Sequence, residues 1–301
     1  MKRWLRTDRW SKEIAALDPK QDAQLIVGLM INHVFPLEFL VSLELAQFRT
    51  FTIPTISALL HATRQYEDDG IKRLDDTRAI MAELHANKVG GREHDEMLAH
   101  LNAIHGVYRI SNDDYLYTLS TFMLDPVLFI DKHGHRKMTR KEKDAMFFFY
   151  RELGEAMKIQ SLPDSLGEML SWRRSYEARV QRYAPSNEAV ARGMLAAVRA
   201  LTPPALHPLL EPGTVALIGD EKVRVALGFA PASPALALTV RTTLRAQRRA
   251  LRKLNLFEVN GIKDWPVFAH YPTYPNGYYR LNLGPARVLE LLEKKRAKDA
   301  A

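Results

Sequence analysis

The stretch His94-Asp95-Glu96-Met97-Leu98-Ala99-His100-Leu101-Asn102-Ala103-Ile104-His105-Gly106-Val107-Tyr108-Arg109 decides how this chain is read. Leu98, Leu101, His105 and Tyr108 recur at i, i+3, i+7 and i+10, with Ile104 beside them, the one-sided stripe of an amphipathic helix over 94–109. His105 therefore points into a core. Two readings stay open at this point: a neutral imidazole satisfied by internal hydrogen bonds, or a metal ligand, a task for which neutral imidazole is well suited.

Outward from this helix the same period dominates the first 200 residues. Ser111 before Asp114, Thr139 before Glu142 and Ser165 before Glu168 each place an oxygen at N-cap and a carboxylate three residues on, satisfying orphan N–H groups and the helix dipole. Pro54 suits a first helical turn. Helices are expected at about 54–69, 71–86, 94–109, 112–124, 140–158, 165–183 and 187–201. Leu25 to Phe48 is the most apolar stretch, but Glu38, Glu44 and Pro36 interrupt it. It reads as two buried helices meeting near Pro36, since a membrane span wants about 20 mostly apolar residues. Alternating strand patterns are scarce, so the fold class is all-α. The turn-rich Tyr271-Pro272-Thr273-Tyr274-Pro275-Asn276-Gly277 is the one place where a small C-terminal hairpin could form.

The 301 residues, 47% apolar and 26% charged, suffice for one large core or two modest ones. No polar linker marks independent domains, although Pro203-Pro204 could separate a smaller C-terminal region. Cysteine is absent, which removes thiolate haem ligation, cysteine-held clusters and zinc sites, cysteine nucleophiles and disulfides. Any metal must be held by His, carboxylate, Met, Tyr or backbone oxygen. The N-terminus lacks the apolar run of a secretory signal, and a cytoplasmic location is expected. The net charge of +8 is uneven: residues 1–150 carry 20 basic and 21 acidic side chains, residues 151–301 carry 23 and 14. G-x-G-x-x-G, Walker, H-E-x-x-H and G-x-S-x-G motifs are missing. No histidine has a glutamate three positions before it, which speaks against a di-iron carboxylate bundle.

The stripe Leu74, Thr77, Met81, Leu84 is interrupted by a hydroxyl, and Arg73 lies one turn earlier on a neighbouring face. Arg73 and Thr77 can converge on one object, a carboxylate or an oxygen species. Equally, Thr77 can bond back to the carbonyl four residues before it while Arg73 pairs with Glu67, Asp68 or Asp69. Arg109, one turn after His105, either complements the helix dipole or binds an anion.

Arg73-Leu74-Asp75-Asp76-Thr77, then Ala103-Ile104-His105-Gly106-Val107-Tyr108-Arg109-Ile110, then Ser111-Asn112-Asp113-Asp114-Tyr115-Leu116-Tyr117-Thr118-Leu119-Ser120-Thr121-Phe122 resembles the catalytic domain shared by MpaB-type oxygenases and latex-clearing rubber oxygenases. Gly134 to Thr139 and Phe149-Tyr150-Arg151-Glu152-Leu153-Gly154 continue the likeness, which covers about residues 20–255. The resemblance implies a globin-like multi-helix bundle around a haem b pocket, and a domain spanning residues 1–301 with 256–301 as an extension. It implies an oxygenase acting with dioxygen on a small apolar substrate by cleaving a C=C bond of isoprenoid type. Carried over, His105 is the iron ligand, Arg73 and Thr77 are the catalytic pair beside the haem, Arg109 is a cofactor-binding cation, and Thr118 or Thr121 lines the pocket. Arg224, in Lys222-Val223-Arg224-Val225, is a further candidate for a haem-side cation. Where rubber oxygenases have a lysine before the threonine this chain has Asp76, as in the MpaB branch. No counterpart of their distal glutamate is identified, so the polymer substrate is not carried over.

Arg241, Arg245, Arg248, Arg249, Arg252 and Lys253 form a wide basic face opposite Val240, Leu244, Leu251 and Leu254. This amphipathic helix is either a solvated surface or a docking face. The competing function is thus a non-catalytic helical module docking to an anionic membrane or to nucleic acid through 241–253. Nucleic acid is the less expected partner, because no nucleic-acid-binding fold is recognised; peripheral membrane contact is left open. His133-x-His135 beside Asp131 has the make-up of a metal-binding pair, but in a basic loop with Lys132, Arg136 and Lys137 both histidines read as exposed.

Overall fold

The computed structural model describes residues 8–254 and 271–299, and no β-strand is found among them. The all-α expectation holds. Helix α1 (Arg9–Ala16) precedes α2 (Ala23–Leu29), which runs into a π turn, Met30–Val34. The chain then bends by 108° into α3 (Pro36–Thr50). Pro36 stands at the first position of α3, where its fixed φ and missing N–H suit a helix start. The two buried helices expected to meet there do so.

Helix α4 (Pro54–Thr63) stops where a continuous helix to 69 was expected, because Arg64 adopts a left-handed conformation (φ 55°) before the short α5 (Gln65–Asp68). The kink has a tertiary cause. It brings Tyr66 against α11 (Pro185–Ala200), and a Cβ added at Gly193 of α11 would lie 2.7 Å from the Tyr66 carbonyl oxygen. Glycine permits this approach.

Helix α6 (Gly70–Ala86) is followed by α7 (Arg92–His105), which ends at His105 itself rather than at Arg109. Helix α8 (Asn112–His133) starts as expected, the Ser111 hydroxyl accepting from the Asp114 amide at 3.1 Å. It continues through Pro126 to His133 instead of ending at 124. Burial of Leu124, Val127 and Ile130 along this half holds the helix past a proline that costs it a backbone bond. In α9 (Arg140–Ala156) both halves of the Thr139/Glu142 capping box are formed. At the start of α10 (Leu166–Val180), Ser165 caps Glu168 at 3.2 Å.

Helices α3, α8 and α9 pack with α2 and α6 around a core that includes Phe35, Phe39, Met97, Met123 and Phe149. A second cluster joins Phe48, Phe51 and Tyr66 to Val190 and Met194 of α11 and to Val223 and Phe229. Helices α12 (Leu210–Ile218), α13 (Glu221–Ala226) and α14 (Pro234–Leu251) follow, and α15 (Ala286–Asp299) packs on α7.

Tyr271 to Gly277 makes two successive turns, Tyr274 N–H to the Tyr271 carbonyl and Gly277 N–H to the Tyr274 carbonyl, rather than the hairpin considered from sequence. Two prolines deny it ladder donors. Residues 271–285 instead form a strap across α6 and α7. The Thr273 amide and the Tyr274 hydroxyl donate to the buried carboxylates of Asp75 and Asp76 at 2.9 and 2.5 Å, and His100 Nε2 donates to the Leu283 carbonyl at 2.8 Å. Tyr278 and Arg280 both bond Glu83, at 2.9 and 2.7 Å.

His85 of α6 donates from Nδ1 to the Met81 carbonyl (2.7 Å) and accepts at Nε2 from the Tyr150 hydroxyl (3.3 Å). Burial pushes its pKa from 6.5 down to about 4, against the Met81 hydrogen bond, which raises it. The unfolded chain therefore takes up a proton that the folded chain refuses. Stability from this group is full above pH 6.5 and is lost as pH falls toward 4, on the order of 3 kcal/mol. Urea melts across that window should show a declining midpoint for the native chain and a shallower decline for His85→Gln.

Candidate active site

Helices α3 to α10, with Gly284 and Pro285 of the strap, line a cavity of about 1150 Å³. That exceeds the ~300–1,000 Å³ typical of small-molecule sites. Its walls are mainly apolar, from Ile80, Met81, Leu101, Leu119, Phe122 and Leu153, and a few polar side chains converge on it.

His105, the last residue of α7, lines this cavity with its Nδ1 buried and without a hydrogen-bond partner. Its ring meets Tyr115 edge-on, 5.6 Å between centroids. Burial first, and the Arg73 charge second, push its pKa down to about 4, so the imidazole is neutral at physiological pH. The bland reading required a partner for each buried ring nitrogen. The structure gives Nδ1 none.

Arg73 and Thr77 lie one turn apart on α6 and both line the cavity. Thr77 Oγ1 donates back to the Arg73 carbonyl at 2.9 Å, as a mid-helix threonine can, and it also accepts from the Arg73 guanidinium. Glu67 and Asp68, acids within reach in sequence, are engaged by His61 (2.5 Å) and Arg64 (2.7 Å). Arg73 is stacked over the Tyr66 ring at 5.1 Å, its guanidinium held by an aromatic face and a hydroxyl. Arg109 is exposed, in the cavity wall just beyond His105.

Of the two threonines on α8, Thr118 lines the cavity and Thr121 does not. The wall of α8 runs through Tyr115, Thr118, Leu119 and Phe122, while Thr121 is fully buried and bonds the Thr118 carbonyl at 2.8 Å. Arg224 is also outside the cavity wall. Its guanidinium is held on α13 by Glu221 (2.9 and 2.5 Å) and by the Phe229 carbonyl, so the role of haem-side cation is not supported by its position. The reading of both loop histidines as exposed is also corrected: His135 is buried beside Phe35 and His133 is half-buried. No group of three or more metal-ligating side chains occurs among the described residues.

Two contributors escaped the sequence reading. Asp114 accepts from the Thr55 and Tyr176 hydroxyls, each at 2.8 Å, and ties α4, α8 and α10 together beside the cavity. The strap closes the wall with Gly284 and Pro285. Its signal was present in α6: Asp75, Asp76 and Glu83 are acids on buried positions and need distant partners.

On the wall of this apolar cavity in a helical bundle, the buried, partnerless His105 nitrogen and the Arg73–Thr77 guanidinium–hydroxyl pair come together. Residues 50–252 match the family described as "ER-bound oxygenase mpaB/B'/Rubber oxygenase, catalytic domain", and the chain belongs to that family. It is 30% identical over 263 residues to the ER-bound oxygenase mpaB' of Penicillium brevicompactum, covering 81% of this chain and 62% of the relative. To the ER-bound oxygenase mpaB of the same fungus it is 33% identical over 195 residues, 59% of this chain and 50% of the relative. The mpaB of Penicillium roqueforti (strain FM164) is 31% identical over 193 residues, 58% and 65% of the two chains. The chain thus spans between half and two thirds of these relatives' lengths. Their names correct the cytoplasmic expectation, since all three are described as ER-bound. Among the described residues no single helix is long and apolar enough to cross a membrane; the bent pair Ala23–Val34 and Pro36–Thr50 passes only as a pair, by length and composition.

Proposed function

We propose that this chain is a haem b-dependent oxygenase that cleaves a C=C bond of a small apolar, isoprenoid-like substrate with dioxygen. In this reading residues 1–301 form one oxygenase-like domain, with 256–301 as an extension that adds Gly284 and Pro285 to the cavity wall. The observation that carries the reading is His105: a neutral imidazole with a buried, partnerless nitrogen on the wall of a large apolar cavity. Such an atom costs free energy when left unpaired, and iron ligation would satisfy the imidazole. The residues present fit the group. His105 would hold the iron, and Arg109, exposed with no ion pair among the described residues, would take an anionic propionate. When bound, haem supplies the binding and activation of dioxygen.

The chain's own residues supply the surroundings. Arg73, held by Thr77 and Tyr66, presents a fixed positive charge where negative charge develops, at no reorganisation cost. Thr118 places a hydroxyl on the wall, though its proton is engaged by the Asp114 carbonyl at 2.9 Å, so it offers a lone pair. Ile80, Met81, Leu119 and Phe122 exclude water and hold the alkene by apolar contact. Overall, one C=C and one O2 give two carbonyl fragments. A module without a catalytic centre would leave this cavity and its imidazole without a role. Protein expressed with ample haem supply should show a Soret band and a b-type pyridine haemochrome, whereas failure to take up haem on titration would overturn the reading.

A further inference from the structure

We propose that the exposed face of α14 docks the protein onto an anionic lipid surface. Arg241, Arg245, Arg249 and Lys253 follow one another at i+4 and are all exposed. At 100° per residue they drift only about 40° per step, so a stripe roughly 18 Å long runs along one side of the helix and the residues just past its end. No ion pair or side-chain hydrogen bond of these four occurs among the described residues. Leu238, 51% exposed, falls inside the same arc.

The nearby acids are spent elsewhere. On α12, against which α14 packs, Glu211 pairs with Arg192 at 3.2 Å; beyond it, Asp220 pairs with Arg49 at 3.3 Å and Glu221 with Arg224 at 2.5 Å. Arg252 instead anchors the end of the helix by donating to the His135 carbonyl at 3.1 Å, next to the exposed Lys132 and Lys137. The positive field is therefore uncompensated and reinforced by the neighbouring loop. The 3-10 turn Pro204–Leu209, packed on α12, adds Leu206 and Leu209 at 48% and 51% exposure. A row of cations with an exposed leucine in its arc matches a membrane interface, where headgroup phosphates take the charge and the acyl boundary takes the leucine. Nucleic acid would use the arginines and leave the leucine in water.

The test is sedimentation of the whole protein with vesicles. Binding to phosphatidylcholine vesicles containing about 30 mol% phosphatidylserine is expected at low salt, with little binding to phosphatidylcholine alone and a steep loss as salt rises. Arg241→Gln/Arg245→Gln/Arg249→Gln should bind about 100-fold more weakly, with helix content and haem loading unchanged. Leu238→Ser, at a single exposed position, should lower binding while keeping the salt dependence. Equal affinity for neutral and anionic vesicles, unchanged binding of the triple variant, or tighter binding to duplex DNA than to vesicles at one ionic strength would overturn the proposal. Because haem loading is read on the same samples, its absence would count against the proposed activity and not against docking.

Discussion

His105→Ala is expected to abolish the Soret band of protein purified after expression with ample haem, while changing the thermal midpoint of the haem-free chain little. The two parts of this result come from one feature. The imidazole Nδ1 makes no hydrogen bond in the folded chain, so its removal breaks none there and forfeits mainly the contact with the Tyr115 ring. Against that small structural cost stands the loss of the sole proposed protein ligand to iron. Disturbing an outer-shell partner of a ligand already weakens metal affinity roughly 10–100-fold, and deleting the ligand should exceed that. Absorption spectroscopy with pyridine haemochrome analysis measures the first part, and melting of the apoproteins the second. Added imidazole should restore part of the band by filling the space left on the cavity wall. A fully haem-loaded alanine variant with an unchanged spectrum would refute the assignment of His105.

The second large effect is on stability. Lys72→Met should cost about 3–5 kcal/mol, because it strips a buried carboxylate of its counter-charge. Asp76 is 2% exposed and accepts from Lys72 Nζ at 2.7 Å and from the Tyr274 hydroxyl at 2.5 Å. Lys72 also donates to the Gly284 carbonyl at 2.7 Å, so the same ammonium fixes the strap that walls the cavity. Removing only the cation leaves the carboxylate buried with one neutral donor. Removing both charges, in Lys72→Met/Asp76→Leu, should recover much of the loss, because a buried ion pair can often be replaced by apolar groups of similar volume. Denaturant melts of the two variants measure the difference; equal destabilisation would show that the charge pair is not the source.

The pairing gives Asp76 a structural role in this chain. Here the aspartate forms part of the cavity wall and its charge faces Lys72 and the strap. Reading the position from sequence gave no role for the acid. Its hydroxyl partner lies 198 residues away.

Local signals carried most of the helical framework. The three cap pairs at Ser111, Thr139 and Ser165 form where their spacing places them, because a cap is settled within four residues by orphan N–H groups. The misplacements have long-range causes. Arg64 breaks α4 so that Tyr66 can meet Gly193, and α8 passes Pro126 because its far half is buried. The same division runs through the site. Helical spacing alone puts Thr77 one turn from Arg73 and points His105 at an apolar face. It could not choose Thr118 over Thr121, nor see that Glu221 and the Phe229 carbonyl occupy Arg224.

The sequence by itself determined an all-helical chain, free of cysteine, whose ligand-type residue is a histidine on a core-facing stripe. Only the tertiary structure decided that His105, Arg73 and Thr77 share one cavity, that its wall is finished by Gly284 and Pro285, and that three acids of α6 hold that wall in place. The physical reason is range. Helix periodicity and caps are fixed by backbone hydrogen bonds between close neighbours, whereas a buried charge must find its partner anywhere the packed chain can bring one.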